Sequence, residues 1–548
     1  MAPACVARAC AAMALQRATT SWPPAHPPTR TGGLRFFRPA VRNIVRPRAS
    51  VKPEPEPVQA AEPEPVQAAA PDTEPTSTAA VEPVHSGFDW AAHWYPISLV
   101  SELDATLPNA QRVLGEHVVL WRDGDGIWRA LRDACPHRLA PLSQGRIAED
   151  GSLTCSYHGW RFGGCGACTA VPQTGGAAAA SSPRSSAFAF PTLVAQGLLW
   201  IWPSARASRF HDAAATPAPL VPGLQESGTR HPAAPSDGGA CEERGVAHVR
   251  DLPLSYMTLV ENLADPSHVA YAHHGVVTVR DKAPLTPLVV TQPLSAAGFQ
   301  VFTQGNPGKL PPQRHTFQAP ALLKQKQERA DTQADVTFGH GDSGGLYMYV
   351  TPLSEGVTRI ITRRVVPAGA RAPWPVELQA KLVWPAHTLI NEVFDGDVSF
   401  LHHQERIVAA DARERSRYFL GTTEDMGVAA LRSWMRQWGN GGPFGPSTLP
   451  PALPRQQQLD RWAQHASHCA ACRRAGVVAG ASAQAMRACS TAAVVAAGAA
   501  GALAAAGQPM LPAAFAAAVA APALGAIGEM AAAVDSSLRF RDYVHGRR

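Results

Sequence analysis

A pair of short motifs constrains this chain more than any other feature of its sequence. Cys135-Pro-His137 is followed, seventeen residues later, by Cys155-Ser-Tyr-His158. Each motif offers one thiolate and one imidazole, and both are strong metal ligands. The chain holds 10 Cys and 20 His among 548 residues, so chance rarely produces this spacing. The segment is therefore expected to fold so that two loops meet around a metal centre.

The four side chains match the ligand set of a Rieske [2Fe–2S] cluster. Such a cluster takes two thiolates on one iron and two imidazoles on the other. Pro136 inside the first loop and Gly159 after the second suit tight loops over a cluster. A zinc site is the alternative. Zinc sites usually pair Cys-x-x-Cys with a second Cys-x-x-Cys or with His-x-x-His, and Cys-x-His is unusual among them.

A second group of candidate ligands lies about a hundred residues downstream, in ENLADPSHVAYAHHG at 261–275. His268 and His273 are close enough in sequence to share a helix face or bracket a distorted turn. Two histidines and one carboxylate form the facial triad of non-haem Fe(II) oxygenases. Alone, the motif could be a surface helix with scattered histidines, but its position after the cluster motifs favours iron. His274 is an alternative ligand.

The carboxylate of such a triad must come from further along the chain. FDGDVSFLHHQER at 394–406 offers Asp395 and Asp397, and ligand chemistry alone does not separate them. His402 and His403 of the same segment are expected to be structural.

Composition divides the rest of the chain. Residues 1–52 contain eight Arg and no Asp or Glu, which is typical of a transit peptide; a disordered tail is the alternative. Residues 53–86 include a duplicated EPEPVQAA and are expected to form an extended linker. We expect a cluster domain over 88–205, a linker or insertion over 206–245, and a catalytic domain over 246–475. A net charge of +6 over 548 residues is too dilute for a nucleic-acid partner.

The carboxy-terminal region predicts a transmembrane helical hairpin over 486–534. No charged residue occurs between Arg487 and Glu529, and Gln508-Pro509 interrupts this stretch near its middle. Two short spans with basic flanks on one side fit its length and charge. An Ala-rich soluble hairpin is the alternative.

Cys469-x-x-Cys472 precedes that hairpin and suggests a dithiol that a thioredoxin could reduce. Arg473 and Arg474 are adjacent, and cations favour the reactive thiolate. The sequence argues against a metal site with His465 and His468, because no distant second pair of ligands is evident in it.

The chain resembles the Rieske non-haem iron oxygenases in CPHRLAPLSQGRI, CSYHGWRF and the two iron motifs. The resemblance implies an α+β fold: an antiparallel β domain for the cluster, a helix-grip-type catalytic domain in which helices pack on an antiparallel sheet, and the hairpin. It implies His273 and Asp397 as iron ligands beside His268. It also implies that Asn262 and Asp265 act at the site, with Asp265 bridging to a cluster histidine of the next subunit in a homotrimer.

The Cys-x-x-Cys motif, the hairpin, ENLADPSHVAYAHHGVVTVRDKAPL and LRFRDYVHG resemble a plastid group, that of pheophorbide a oxygenase. This resemblance implies O₂-dependent ring opening of a chlorophyll-derived tetrapyrrole with electrons from reduced ferredoxin. It places the chain in an inner envelope or thylakoid membrane of the chloroplast, with the catalytic domains facing the stroma. The alternatives are a related oxygenase acting on protochlorophyllide or phyllobilins, and a non-enzymatic redox sensor of the import machinery. The complete set of iron-site residues argues against the sensor.

Overall fold

The amino-terminal half of the fold is built from short antiparallel strands joined by tight turns. The computed structural model describes residues 87–173, 180–224, 241–243, 246–283, 285–305, 311–327, 345–367, 382–411, 417–445 and 448–547. The predicted transit peptide over 1–52 and linker over 53–86 lie outside this range.

Eleven strands form three antiparallel sheets in the described part of the cluster domain, in the orders β1-β11-β10, β2-β3-β4-β9 and β5-β6-β7-β8. A tight turn at DGDG, residues 123–126, joins β3 to β4: Asp123 accepts a hydrogen bond from the Ile127 amide, and Gly126 adopts a φ of +77°. The strands are β1 (Tyr95–Leu99), β2 (Asn109–Val113), β3 (Glu116–Arg122), β4 (Trp128–Arg132), β5 (Arg146–Ile147), β6 (Leu153–Thr154), β7 (Arg161–Phe162), β8 (Cys168–Ala170), β9 (Ala189–Phe190), β10 (Thr192–Ala195) and β11 (Leu198–Ile201).

The catalytic half is organised around one antiparallel sheet of eight strands. Its order is β12-β19-β18-β17-β16-β15-β14, and β13 also pairs with the long strand β19. The strands are β12 (Cys241–Glu243), β13 (His248–Leu252), β14 (Val289–Ser295), β15 (Gly298–Thr303), β16 (Gln313–Gln318), β17 (Leu322–Gln327), β18 (Gly345–Ser354) and β19 (Val357–Pro367).

Helices cover one face of this sheet and form the main core with it. Leu259, Val398 and Trp434, each from a different helix, pack in one buried cluster with Phe317 and Ile360 of the sheet. Burial of such apolar side chains is the main stabilising contribution. The helices are α1 (Arg209–Ala215), α2 (Tyr256–Leu263), α3 (His268–Ala272), α4 (Val383–Ala410), α5 (Met426–Gln437) and α6 (Arg455–Gln458). The fold class, α+β, is as predicted.

Two long helices in the carboxy-terminal region form an antiparallel pair, α7 (Ala470–Ala505) and α8 (Leu511–Arg539). Gly507, with a φ of +84°, terminates the first helix before Gln508 and Pro509. Both helices are long and apolar enough to cross a membrane, with mean hydropathies of 1.7 and 1.6 over their apolar windows. Large apolar side chains such as Val495 and Phe515 are exposed on their surface.

Two predicted boundaries differ from the elements observed. The predicted linker over 206–245 contains α1 and β12, and β12 pairs with β19. Helix α7 begins at Ala470, before the predicted start of the transmembrane hairpin at 486. The reason is local: the segment after Cys469 is rich in alanine and contains no proline up to Ala505, so nothing stops the helix.

Candidate metal centres

The two cluster loops have the same backbone geometry. The Cys135 amide donates to Ala140 O and the Cys155 amide donates to Trp160 O, each at 2.8 Å. The fourth residue after each cysteine, Leu139 or Gly159, adopts a left-handed conformation with a φ of 60° or 75°. Two equivalent loops thus present the same pair of ligand types from opposite sides, as a two-iron cluster requires.

The cysteines of these loops are buried, and the histidines lie toward solvent. Cys135 and Cys155 are 2% and 1% exposed, whereas His137 is exposed and His158 is half-buried. The imidazole rings meet edge to face at 4.5 Å. Burial raises the pKa of the Cys135 thiol to about 11, so the thiolate needs a metal ion to stabilise it. The residues fit a Rieske cluster with its histidine-ligated iron outermost.

The mononuclear site forms where α3 meets α4. His268 Nε2 and His273 Nε2 lie 3.7 and 3.5 Å from Asp397 Oδ1, so one ion could contact all three atoms. His268 Nδ1 is hydrogen-bonded to the Asp265 carbonyl. Since a carbonyl only accepts, His268 Nδ1 carries the proton and Nε2 offers its lone pair to the site.

The electrostatics of the triad also fit a cation. Asp397 is buried, and its Oδ1 has no hydrogen-bond partner among the residues that the structure describes, which is costly for a carboxylate without an ion. Burial raises the pKa of Asp397 to about 6, while His268 and the Asn262 amide act in the opposite direction. Burial lowers the pKa of His273 to about 3, so this ring is neutral and available as a ligand.

The structure separates the alternatives that the sequence left open. Asp395 points to the other side of α4, where Arg250 and Arg461 bind its two oxygens at 2.6 and 2.7 Å. All three side chains are fully buried, so Asp395 is a structural ion-pair residue. His274 Nδ1 accepts a hydrogen bond from the Arg280 amide and lies outside the triad.

Glycine at position 396 accommodates the close approach of α4 to the candidate iron ligands. A Cβ placed there would lie 3.1 Å from Tyr543 Cζ and 3.3 Å from His273 Nδ1. Three consecutive residues of α4 therefore have different roles. Asp395 is a structural carboxylate, Gly396 allows close contact, and Asp397 is a candidate iron ligand.

Asp265 makes local contacts within the chain. Its Oδ1 accepts hydrogen bonds from the Ser267 amide and hydroxyl at 2.8 and 2.5 Å, immediately before α3. Its Oδ2 lies 3.9 Å from His268 Nδ1, and the side chain is 28% exposed. The bridge to a neighbouring subunit stays a prediction.

The expectation that no distant ligand completes a metal site at the Cys-x-x-Cys motif is wrong. Cys469 and Cys472 are buried together with His387 of α4 and His465 of a single π-helical turn, Trp462–Ala466. The ligand atoms of all four residues lie within 4.8 Å of one another. We name this group the Cys₂His₂ cluster. Sequence reasoning missed His387 because it lies 82 residues before Cys469 and belongs to no ligand-spaced motif.

The cations beside the motif lie at the protein surface. Arg473 and Arg474 have exposed side chains, whereas Cys469 and Cys472 are 4% and 0% exposed. Thiol–disulfide exchange with a thioredoxin needs an accessible thiol, so the burial of the two cysteines weighs against a thioredoxin-reducible dithiol. That role stays a prediction.

Comparison with known proteins agrees with both iron centres. A Rieske [2Fe–2S] domain model matches residues 93–183, and a pheophorbide a oxygenase model matches residues 317–415. A Rieske ligand set and a two-histidine, one-carboxylate triad within one α+β chain make this protein a Rieske non-haem iron oxygenase.

Individual relatives identify the family of this chain within that class. Chloroplastic pheophorbide a oxygenase of Arabidopsis thaliana is 38% identical over 418 residues, covering 71% of this chain and 73% of that protein. The Oryza sativa subsp. japonica enzyme is 37% identical, covering 70% and 73%. The chain belongs to the pheophorbide a oxygenase family. Protochlorophyllide-dependent translocon component 52 of Arabidopsis thaliana is 28% identical, covering 72% and 75%.

Proposed function

We propose that this chain is a ferredoxin-dependent oxygenase of chlorophyll breakdown that opens the macrocycle of pheophorbide a. The observation that carries the proposal is the complete triad of His268, His273 and Asp397 in a chain that also keeps all four cluster ligands. A pure redox sensor would need only the cluster. The substrate follows from the relatives, two of which are pheophorbide a oxygenases.

The chain's own residues have separable roles in such a reaction. When bound, the cluster would supply electrons and the Fe(II) would supply a site for O₂. Cys135 and Cys155, which are buried, would hold the cluster from the protein side, and His137 and His158, which are nearer the solvent, would hold it on the side where ferredoxin could dock. Asn262 lies against the Asp397 carboxylate and stabilises its charged form.

The surface around the triad suits a large apolar substrate. Tyr271, between the two histidine ligands, is 64% exposed, and Val277 is 50% exposed. Phe400 follows Asp397 by one turn of α4 and lines a cavity of about 310 Å³ together with Ile407, Arg417 and other residues. This volume is at the lower end of the range for ligand sites, about 300–1,000 Å³, and none of the three triad residues lines the cavity.

Membrane attachment would bring the protein to its pigment. The charge-free parts of α7 and α8, 488–505 and 511–528, would each extend about 27 Å, close to the thickness of a bilayer core. Arg487 and Glu529 pair across the hairpin at 3.1 Å and mark the end of both stretches. We infer two spans in a plastid membrane, inner envelope or thylakoid, with the catalytic domains in the stroma.

Other finer expectations belong to the same proposal. The eight-stranded sheet with α4 packed on one face supports a helix-grip-type catalytic domain. The exposed part of Asp265 is compatible with contact to the cluster of a second chain, and hence with a homotrimer.

Turnover with defined pigments tests the proposal. The full chain is reconstituted anaerobically with iron, then mixed with reduced ferredoxin, O₂ and either pheophorbide a or protochlorophyllide. We expect consumption of pheophorbide a with an oxygenated, ring-opened product, and loss of that activity in Asp397→Ala with an unchanged cluster spectrum. Turnover of protochlorophyllide alone would assign the chain to the other branch, and no oxygenation of either pigment would refute the proposal.

A further inference from the structure

The Cys₂His₂ cluster is a metal-ligating site separate from both iron centres. His387 and Asp397 lie on the same helix but ten residues apart, and the cluster includes none of the triad or Rieske ligands. Each of its four members is at most 4% exposed. Burying two thiols and two imidazoles together requires that their polar atoms find partners.

Both imidazoles are held so that a lone pair points into the cluster. His465 Nδ1 is 2.6 Å from the Val249 carbonyl, and His387 Nε2 is 3.1 Å from the Ala247 carbonyl. Because a carbonyl only accepts, these two nitrogens carry the protons. The opposite nitrogens, His465 Nε2 and His387 Nδ1, therefore face inward without a proton. This use of a backbone carbonyl to orient the ring is typical of metal-bound histidine.

The two inward nitrogens lie 3.0 Å apart. Hydrogen bonds from the cysteine thiols could satisfy each nitrogen singly, but two lone pairs would still face each other at that distance. A dication at the centre attracts both nitrogens and both sulfurs at once. The arrangement therefore favours a metal ion over a set of thiol–imidazole hydrogen bonds.

The separations within the cluster match the edges of one tetrahedron. Cys472 Sγ lies 3.3 Å from His465 Nε2 and 3.4 Å from His387 Nδ1, and Cys469 Sγ lies 3.6 Å from His387 Nδ1. With Zn–S near 2.3 Å and Zn–N near 2.05 Å, a tetrahedral site has S···N edges of about 3.6 Å and N···N edges of about 3.4 Å. The observed distances are within a few tenths of these values.

From this geometry we propose that Cys469, Cys472, His465 and His387 bind a structural Zn²⁺. Two thiolates and two neutral imidazoles around Zn²⁺ carry no net charge, which suits a buried site. Binding releases the two thiol protons to solvent. Four protein ligands leave no open position, so the site is closed to substrate. The softer donor set also separates it from the carboxylate-containing iron triad, because thiolates select zinc over Fe(II).

The site joins three parts of the fold. His387 comes from the helix that carries the iron ligand Asp397, and Cys472 lies in the first turn of α7, the first helix of the hairpin. The carbonyls that orient the histidines belong to β13 and the residue before it. Zinc would therefore fix the hairpin to the catalytic sheet and to α4, and hold the iron site at a set position relative to the membrane.

Metal content and zinc spectroscopy of the full-length protein, purified in detergent with its iron centres intact, test the proposal. We expect one zinc per chain after dialysis against a weak chelator, beside the cluster irons and the mononuclear iron. Zinc K-edge absorption should show two sulfur scatterers at about 2.3 Å and two nitrogen scatterers at about 2.0–2.1 Å. This measurement uses the unaltered protein, so it does not depend on any variant folding.

Variants then assign the ligands. Cys472→Ser and His387→Gln should each reduce bound zinc at least tenfold while the Rieske electron paramagnetic resonance signal is kept. Cys489→Ser and His468→Gln are matched controls, because both residues are exposed and lie outside the cluster, and they should retain zinc.

Several results would overturn the assignment. These are wild-type protein without zinc, a Cys469–Cys472 disulfide found by mass spectrometry, a fourth iron in place of zinc, or a zinc shell dominated by oxygen. No readout involves oxygenation, so the outcome is independent of the proposed activity.

Discussion

Replacing Asp395 and Asp397 one at a time with asparagine should affect different properties of the protein. Asp395 is the carboxylate shared by Arg250 and Arg461, and all three side chains are fully buried. In Asp395→Asn the amide side chain would fill the same volume but leave two buried guanidinium groups without a counter-charge. Removing one partner of a buried ion pair typically costs about 3–5 kcal/mol.

The other hydrogen bonds of the two arginines place the loss of stability in Asp395→Asn near the lower end of that range. Arg250 also binds Asn391 O and the Gln464 side chain, and Arg461 also binds Ser537 O. For a catalytic domain of this size, about 3 kcal/mol corresponds to a fall in the thermal midpoint of roughly 6–12 °C. Asp397→Asn removes a buried carboxylate that has no cationic side chain bound to it, so in iron-free protein the midpoint should change by less than about 2 °C.

The assay measures each variant in three ways. The thermal midpoint is followed after removal of mononuclear iron with a ferrous chelator, and iron binding and the Rieske spectrum are measured separately. We expect Asp395→Asn to lose stability and keep iron at low temperature, and Asp397→Asn to keep stability and lose mononuclear iron. A stable, iron-free Asp395→Asn beside an iron-binding Asp397→Asn would refute this division of roles.

Three further predictions concern the cluster, the bridge and the glycine contact. His158→Cys should shift the Rieske electron paramagnetic resonance signal toward the all-thiolate type and lower the reduction potential by roughly a few hundred mV; an unchanged signal would remove His158 from the ligand set. Asp265→Asn should keep both metals and reduction by ferredoxin, while cluster oxidation slows in single-turnover mixing with pigment and O₂; a normal rate would leave Asp265 with its local contact to Ser267 alone. Gly396→Ala should weaken iron binding without changing the Rieske spectrum, because its Cβ would contact the His273 ring, and full iron content would show that α4 can shift to accommodate it.

The sequence predicted what depends on local spacing. A Cys-x-His loop and a Cys-x-x-His loop define their candidate ligands over a few residues, and the structure brings the two histidine rings within 4.5 Å of each other. The two histidines of the iron motif lie in one short helix and at its end, so their proximity also follows from the local chain. The apolar hairpin was visible because length and hydropathy are properties of a continuous segment.

Tertiary structure decided which residues join these local motifs. Residues two apart on an α-helix point about 200° apart around its axis. Asp395 and Asp397, equivalent in the sequence, thus lie on opposite sides of α4, one facing two arginines and the other facing two histidines. His387 and Cys469 meet only because α4 and the start of α7 pack together, while α4 and the π-helical turn also pack on β13. The sequence of this chain therefore determined the kinds of chemistry it can hold, whereas packing between distant segments selected the carboxylate of the iron site and assembled the Cys₂His₂ cluster.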